Sequence, residues 1–352
     1  MRRVPSWFIL ILTAIIAAIP PNLAAKLATR LSFNSSPIVG FAHAAPVAGV
    51  GGGRQQAVEA RDFVLAAAGD IACGSGSFFA ACRDRETSDL LLQVNPDVVL
   101  ALGDNQYEFG LYNDFLNFYD KSWGRVKFKT RPTTGNHEYE LFSADGYFDY
   151  FNGVGNFTGS AGDRDKGYYS FDLGNWHLIA LNSNCSRVGG CNTGSLQERW
   201  LRADLAAHPN SCILAYWHHP RFSSGQHGGS LEYQALWQAL YDSRADVVLV
   251  GHDHDYERFA AQTPSGALDS QRGIRQFVVG TGGRDLTTFA LIVPNSEVRD
   301  SRTFGVLKLA LHSGSYEWEF IPITGGTFRD SGSGFCHNTQ QQPEPHRPRR
   351  RP

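Results

Sequence analysis

Apolar runs that end in a polar side chain recur through this chain, and they restrict its fold more than any other feature. "FVLAAAGDIA" (63–72) runs as a buried strand onto Asp70, and "DVVLALGDN" runs onto Asp104. "CILAYWHHP" reaches His218 and His219, and "VVLVGHDHDYERF" (247–259) carries His252 and His254 just past its hydrophobic part. Short continuous apolar runs of this kind read as strands buried on both faces. Segments with helical spacing separate them: "RETSDLLLQV", "LYNDFLNFYDKSW", "TGSLQERWLRADLAAH" with Thr193 or Ser195 as its cap, and a stretch near 230–243. "GYYSFDLGNWHLIALNS" (167–183) reads as two antiparallel strands joined by a Gly-Asn turn, and "IRQFVVGTGG" and "FGVLKLALHSGSYEWEFIPI" complete the sheet region. Strands alternating with helices predict an α/β fold, in which ligands gather beyond the C-terminal strand ends.

The two ends of the chain are expected to lie outside that fold. "MRR" is a short positive segment, and "WFILILTAIIAAI" (7–19) is apolar but too short to span a bilayer, which takes about 20 residues. Small residues at "NLA" and "AHA", ending at Ala24 and Ala44, offer cleavage sites, so residues 1–44 read as an export leader and the protein as secreted, periplasmic or held at the cell surface. No stable membrane span is expected once the leader is cleaved. Residues 45–60 are a Gly-rich linker, 61–340 the folded domain, and 341–352 a Pro- and Arg-rich tail expected to be disordered. At 352 residues and 42% hydrophobic, the chain can bury a large core. Its formal charge is −2, and losing the leader removes four basic residues and no acid, giving −6. A nucleic-acid binder would show a basic face, so that function is not expected.

Six cysteines fit an oxidising destination. Cys73 with Cys82 and Cys185 with Cys191 are close enough to close small loops, which leaves Cys212 for Cys336. Spacing favours this pairing among the fifteen that six cysteines allow.

The strand ends share one chemistry. Asp70 ends the first; Asp104 and Tyr107 lie in "GDNQY"; Asn136, His137 and Glu138 lie in "GNHEY"; His218 and His219 lie in "WHHP". With His252 and His254 they offer carboxylate, phenolate, amide oxygen and imidazole, a donor set for hard or borderline metal ions. The series "GD", "GDNQY", "GNHE", "HHP" and "GHDH" resembles the calcineurin-like metallophosphoesterases, and within them the purple acid phosphatases, over roughly residues 63–283. The resemblance implies a four-layer α-β-β-α sandwich with a dinuclear metal centre at the strand ends. Carried over by position, it implies Asp70, Tyr107 and His254 on one metal, Asn136, His218 and His252 on the other, and Asp104 bridging. His219 follows a ligand position and is expected to support the ligands from behind rather than bind metal itself. The wider superfamily has a histidine two residues after the first aspartate, where this chain has Ala72; the tyrosine three residues after Asp104 replaces it, in the purple acid phosphatase pattern. The fibronectin-like domain of the larger plant-type members is not expected before the Gly-rich linker, so the resemblance is expected to be closer to the small single-domain members.

The resemblance therefore implies an exported, metal-dependent hydrolase of phosphate monoesters, acid-active, using a hydroxide activated by Fe(III) and a divalent Fe, Zn or Mn ion. His137, beside a ligand position, is the expected proton donor to the leaving group, with Glu138 near it. His227, in "SSGQHGG", is a second expected catalytic residue, at about the place of a substrate-facing histidine in plant-type relatives. "GTGGRD" (280–285) reads as a tight turn, without the context of a phosphate-cradling loop. A phosphodiesterase or nucleotidase of the same fold would use nearly the same ligands. A surface binding protein that had lost the chemistry would be expected to lack at least one of them.

Overall fold

Each apolar run becomes a strand, and the strands gather into two sheets. The computed structural model describes residues 61–74, 82–141, 143–209 and 211–338; the expected leader, the linker and the Pro/Arg-rich tail lie outside the described residues. In chain order the strands are β1 (Phe63–Ala68), β2 (Val98–Leu102), β3 (Thr130–Thr133), β4 (Tyr169–Leu173), β5 (Trp176–Ala180), β6 (Cys212–Tyr216), β7 (Val247–Val250), β8 (Tyr256–Phe259), β9 (Arg275–Val279), β10 (Ser296–Asp300), β11 (Gly305–Leu311), β12 (Ser315–Pro322) and β13 (Ser331–Phe335). The α-helices are α1 (Asp84–Val94), α2 (Tyr112–Asn117), α3 (Asp145–Asn152), α4 (Leu196–Ala207) and α5 (Gln234–Asp242).

One sheet has the order β13-β12-β11-β1-β2-β3 and the other β10-β8-β9-β7-β6-β5-β4. The pairs β1–β2, β2–β3, β5–β6, β6–β7 and β7–β9 are parallel, so the polar ends of these strands point the same way within each sheet. Antiparallel strands extend both sheets outward, β11 beside β1 and β12 beside β11 in the first, and β4 beside β5 and β8 beside β9 in the second. Strands β5, β6 and β7 are buried at every position, as parallel strands covered on both faces must be. Their period of two divides the side chains between two cores. Leu214, Tyr216, Leu249 and Phe277 enter the core shared with the first sheet. Ile213, Ala215, Val248 and Val278 pack instead with Leu201, Leu205, Leu236 and Trp237 of α4 and α5. With α1 lying against β11, the layers run helix, sheet, sheet, helix.

Local chemistry sets the element ends. Ser195 caps α4, its hydroxyl accepting from the Glu198 N–H at 3.3 Å, which decides between the two candidate caps. Gly174 turns β4 into β5 at φ +62°. The expected long helix in "LYNDFLNFYDKSW" is cut short: α2 stops at Asn117, and tighter 3₁₀ turns follow. Phe115 and Tyr119 there pack on Tyr150 and Phe151 of α3, so aromatic packing overrides the helical spacing. "VVLVGHDHDYERF" is two strands, because the chain turns between β7 and β8 and comes back antiparallel to β9.

Three disulfides join Cys73 to Cys82, Cys185 to Cys191 and Cys212 to Cys336. The last closes 124 residues, from the start of β6 to the residue after β13, whereas Cys185–Cys191 closes six. Loop-closure entropy grows with the logarithm of loop length, so removing the long link should destabilise the fold by about 3 kcal/mol more than removing the short one. Urea unfolding of C212S/C336S and C185S/C191S checks this; equal losses would contradict it.

Candidate metal centre

The ladder between β1 and β2 continues past both strands and brings their polar tips together. The Asp70 N–H donates to Gly103 O at 3.1 Å and the Ile71 N–H to Asp104 O at 2.9 Å. Asp70, Asp104 and His252 all have positive φ, at 60°, 46° and 73°. Such conformations cost roughly 1–3 kcal/mol each and persist where the surroundings over-determine them. Glycines make the approach possible: a Cβ on Gly135 would stand 2.0 Å from Asp104 Oδ1, and one on Gly103 would stand 2.6 Å from His218 Nδ1.

The side chains then meet in one cluster. The Tyr107 hydroxyl donates to Asp70 Oδ1 at 2.9 Å and stands 3.1 Å from Asp104 Oδ2 and 3.0 Å from His254 Nε2. His254 Nε2 is 3.3 Å from Asp70 Oδ1. Across Asp104, Oδ2 is 3.2 Å from His218 Nε2, which is 3.2 Å from His252 Nδ1. Asp104 therefore lies between a group of Asp70, Tyr107 and His254 and a group of His218 and His252. His218 donates from Nδ1 to Leu102 O at 2.9 Å, which turns Nε2 toward the cluster. Asn136 is in the adjoining loop, and its Oδ1 is buried with no hydrogen-bond partner. A buried amide oxygen without a partner, in the loop that follows one of these strands, fits a cation, as does the close grouping of Asp70, Asp104 and His218, whose donor atoms lie within 4.8 Å of one another.

The electrostatics point the same way. Burial, with Asp104 and Asp70 beside it, drives the Tyr107 phenol well above its ordinary range. Burial opposes ionisation of Asp104 too, but the His218 and His137 imidazoles outweigh it and hold the carboxyl below its usual range. Burial tends to keep His218 neutral, yet Asp104 lifts it to about 9. The same contest lifts His254 to about 10, with Asp70 and Asp285 on the raising side. His252 moves down, pushed by burial and by its neighbours His218 and His219. These acids borrow positive charge from imidazoles that metal cations would replace.

The residues around the cluster depart in part from what the sequence suggests. His137 sits at the rim: Nδ1 is 2.7 Å from Glu108 O, the ring centroid is 4.3 Å from that of Tyr107, and Nε2 is 3.9 Å from Asp104 Oδ2. Glu138 turns away from the rim and accepts from the N–H groups of Asp104, Asn105, Gln106 and Gly135 at 2.7–3.2 Å. His227 is exposed, with its ring 4.4 Å from that of His252 and its N–H donating to Asp253 Oδ1 at 2.8 Å. His219 bonds Ser183 Oγ at 2.8 Å and offers a donor atom within 4.8 Å of those of His218 and His252, a position beside the expected ligands. Asp285, which the sequence shows only as the end of a tight turn, holds His254 Nδ1 at 3.0 Å. The same segment clamps the first strand end, since the Arg284 N–H donates to Asp70 O at 2.9 Å. A Gly-rich turn straight after an apolar run is the available hint, because it must end beside the other strand tips.

Known proteins are similar to this chain in sequence and in fold. The family model described as calcineurin-like phosphoesterase matches residues 63–256, more than half of the chain. Purple acid phosphatase 23 of Arabidopsis thaliana is 30% identical over 204 residues, covering 49% of this chain and 44% of that protein. A protein of Hordeum vulgare named nucleotide pyrophosphatase/phosphodiesterase is 24% identical, covering 70% of this chain and 74% of its own. The structure of a purple acid phosphatase from yellow lupin (Lupinus luteus) seeds superposes with a TM-score of 0.65 at 19% identity, over 78% of this chain and 54% of that one. The chain thus spans less than half the length of the Arabidopsis relative. With the family model matched across every strand end that carries the cluster, the chain belongs to the calcineurin-like phosphoesterase family, as a metallophosphoesterase of the purple acid phosphatase type.

Proposed function

We propose that this protein is an exported acid phosphatase that hydrolyses phosphate monoesters at a dinuclear metal centre. The observation that carries the reading is the placing of Asp104 Oδ2 within 3.2 Å of both the Tyr107 hydroxyl and His218 Nε2, as a bridging carboxylate would stand. In this reading Asp70, Tyr107 and His254 hold a trivalent iron. Asn136, His218 and His252 hold a divalent iron, zinc or manganese ion. When bound, the two ions supply the positive charge that holds a phosphate dianion and makes water acidic enough to attack at low pH.

The chain's own residues do the rest. Asp285 and Leu102 O fix the rings of His254 and His218 so that each turns Nε2 inward. His137, tied through Nδ1 to Glu108 O, presents Nε2 at the rim and gives a proton to the departing alkoxide. His227, on a loop anchored by Asp253, faces the substrate from the His252 side. Three disulfides support export, and the folded domain is taken as residues 61–340 between a leader and a solvated tail. The barley relative's printed name, nucleotide pyrophosphatase/phosphodiesterase, and its wide coverage favour a diester or nucleotide substrate as the second reading. Turnover of p-nitrophenyl phosphate against its bis-ester decides between them; faster cleavage of the bis-ester would reject the monoesterase.

Three variants test the assignments. D104N should weaken both metal sites together and abolish hydrolysis; two metals and full rate in this variant would remove Asp104 from the bridge. H137A should keep both metals and lose about 10²–10⁴-fold in rate, the range for one acid–base group. Metal loss in H137A, read by elemental analysis, would place that residue among the ligands instead. Tyr107 bound to Fe(III) should give a violet charge-transfer band that Y107F bleaches. A fully active, colourless wild type holding only zinc or manganese would reject iron and leave the phosphoesterase standing.

A further inference from the structure

Beside the candidate centre lies a cavity of about 300 Å³ whose walls come from several separate segments. Asn136, an expected ligand, and His219 form its inner end, so it opens from the side of the centre that the second metal would take. The loop after β3 brings Tyr139 and Glu140, the loop after β5 brings Ser186 and Arg187, and the 3₁₀ turn Leu231–Tyr233 brings Glu232. Each wall is tied to its neighbours. The Tyr139 hydroxyl accepts from Asn182 Nδ2 at 2.9 Å, Ser183 Oγ bonds His219, and the Tyr233 ring stacks 5.9 Å from that of His219. The Cys185–Cys191 disulfide closes the loop that carries Ser186 and Arg187, and within it the Gly190 N–H donates to Cys185 O at 2.7 Å. A wall held in place beforehand avoids the entropy cost of ordering it on binding.

The lining is polar and mixed in sign. Arg187, whose guanidinium lies 6.0 Å from the Tyr139 ring centroid and donates to Tyr139 O at 3.4 Å, supplies N–H donors. Glu140 and Glu232 supply carboxylate acceptors, and Ser186 a hydroxyl that can donate or accept. These residues are exposed, and the side chains of Glu140, Glu232 and Ser186 make no hydrogen bond or ion pair among the described residues. The balance selects a class of leaving group. A second phosphate needs donors and would meet two carboxylates against one guanidinium. A cationic group would meet Arg187. An alkyl group would cover these polar atoms without pairing them, which costs free energy. A hydroxyl donates and accepts at once, so a polyhydroxyl group can satisfy carboxylate, guanidinium and hydroxyl together. A hollow of about 710 Å³ shares Cys185, Ser186 and Glu232 with the cavity and continues past Gly189 and Gly190 to Gln234 and Gln238. A leaving group larger than one sugar ring can extend along it.

We infer that this cavity is a leaving-group subsite for sugar phosphates, with Glu140, Ser186, Arg187 and Glu232 determining specificity. The inference rests on the monoesterase reading and narrows it.

The test uses the full chain with its resident metals. Wild type should cleave fructose 6-phosphate with kcat/KM at least about tenfold above that for butyl phosphate, phosphocholine or fructose 1,6-bisphosphate. E140A/E232A should cut this preference about tenfold, through KM for fructose 6-phosphate, with its metals retained. Equal preference in wild type and variant, or a wild type that favours one of the other three esters, would overturn the subsite. Calorimetric titration with fructose reads the subsite without turnover, and wild type should give a binding heat that the variant lacks. A chain that shows this heat yet cleaves no phosphate ester would sink the phosphatase reading and leave a sugar site standing. A chain that cleaves p-nitrophenyl phosphate but shows neither the heat nor the preference would sink the subsite alone.

Discussion

The buried Glu138 carboxylate accepts hydrogen bonds from the N–H groups of Asp104, Asn105, Gln106 and Gly135, and so joins the loop after β2 to the loop after β3. Burial and the nearby Asp104 push this carboxyl up to about 7, while the amides pull it back toward the charged form. Without it, four amide donors in the interior would lose their acceptor, each at a cost of about 1–3 kcal/mol. Asp104 takes its backbone position from this grip. Its side chain then accepts from the His137 N–H at 2.9 Å, which sets the direction of the residues after Asn136. The two sheets deliver the strand tips, but Glu138 sets their spacing.

The cluster that results is electrostatically incomplete as protein alone. The Tyr107 phenol stands within 3.1 Å of both the Asp70 and the Asp104 carboxylate, in a place from which water is largely excluded. Like charges so close push pKa values apart, and here the phenol moves up while imidazoles are drawn toward protonation. Positive φ at Asp70, Asp104 and His252 shows how far the backbone bends to keep the donors converged. Strain and like-charge crowding together are features that a fold retains at a working site.

The parts of the site legible in the sequence are those at the ends of apolar runs. Asp70, Asp104, His218, His252 and His254 each follow a strand within a few residues, so the strand's position dictates theirs. Tyr107, Asn136 and His137 lie in the loops those ends begin. Asp285 and Asp253 are not legible as partners: each reads as an ordinary polar residue, and their work depends on His254 and His227 arriving from elsewhere. The early end of α2 is hidden by packing, because its spacing alone fits a helix well beyond Asn117.

The sequence by itself determined the α/β class, the strand tips and the donor chemistry they carry, because burial and side-chain periodicity are properties of short segments. It also favoured the disulfide pairing, because near neighbours close loops most readily. Tertiary structure alone decided that β11 pairs with β1 on the side away from β2, that Glu138 serves backbone amides and not the rim, and that Asp104 stands between two groups of donors. Those outcomes rest on contacts between segments far apart in the chain, and sheet order and interior packing bring such segments together in ways that no local pattern encodes.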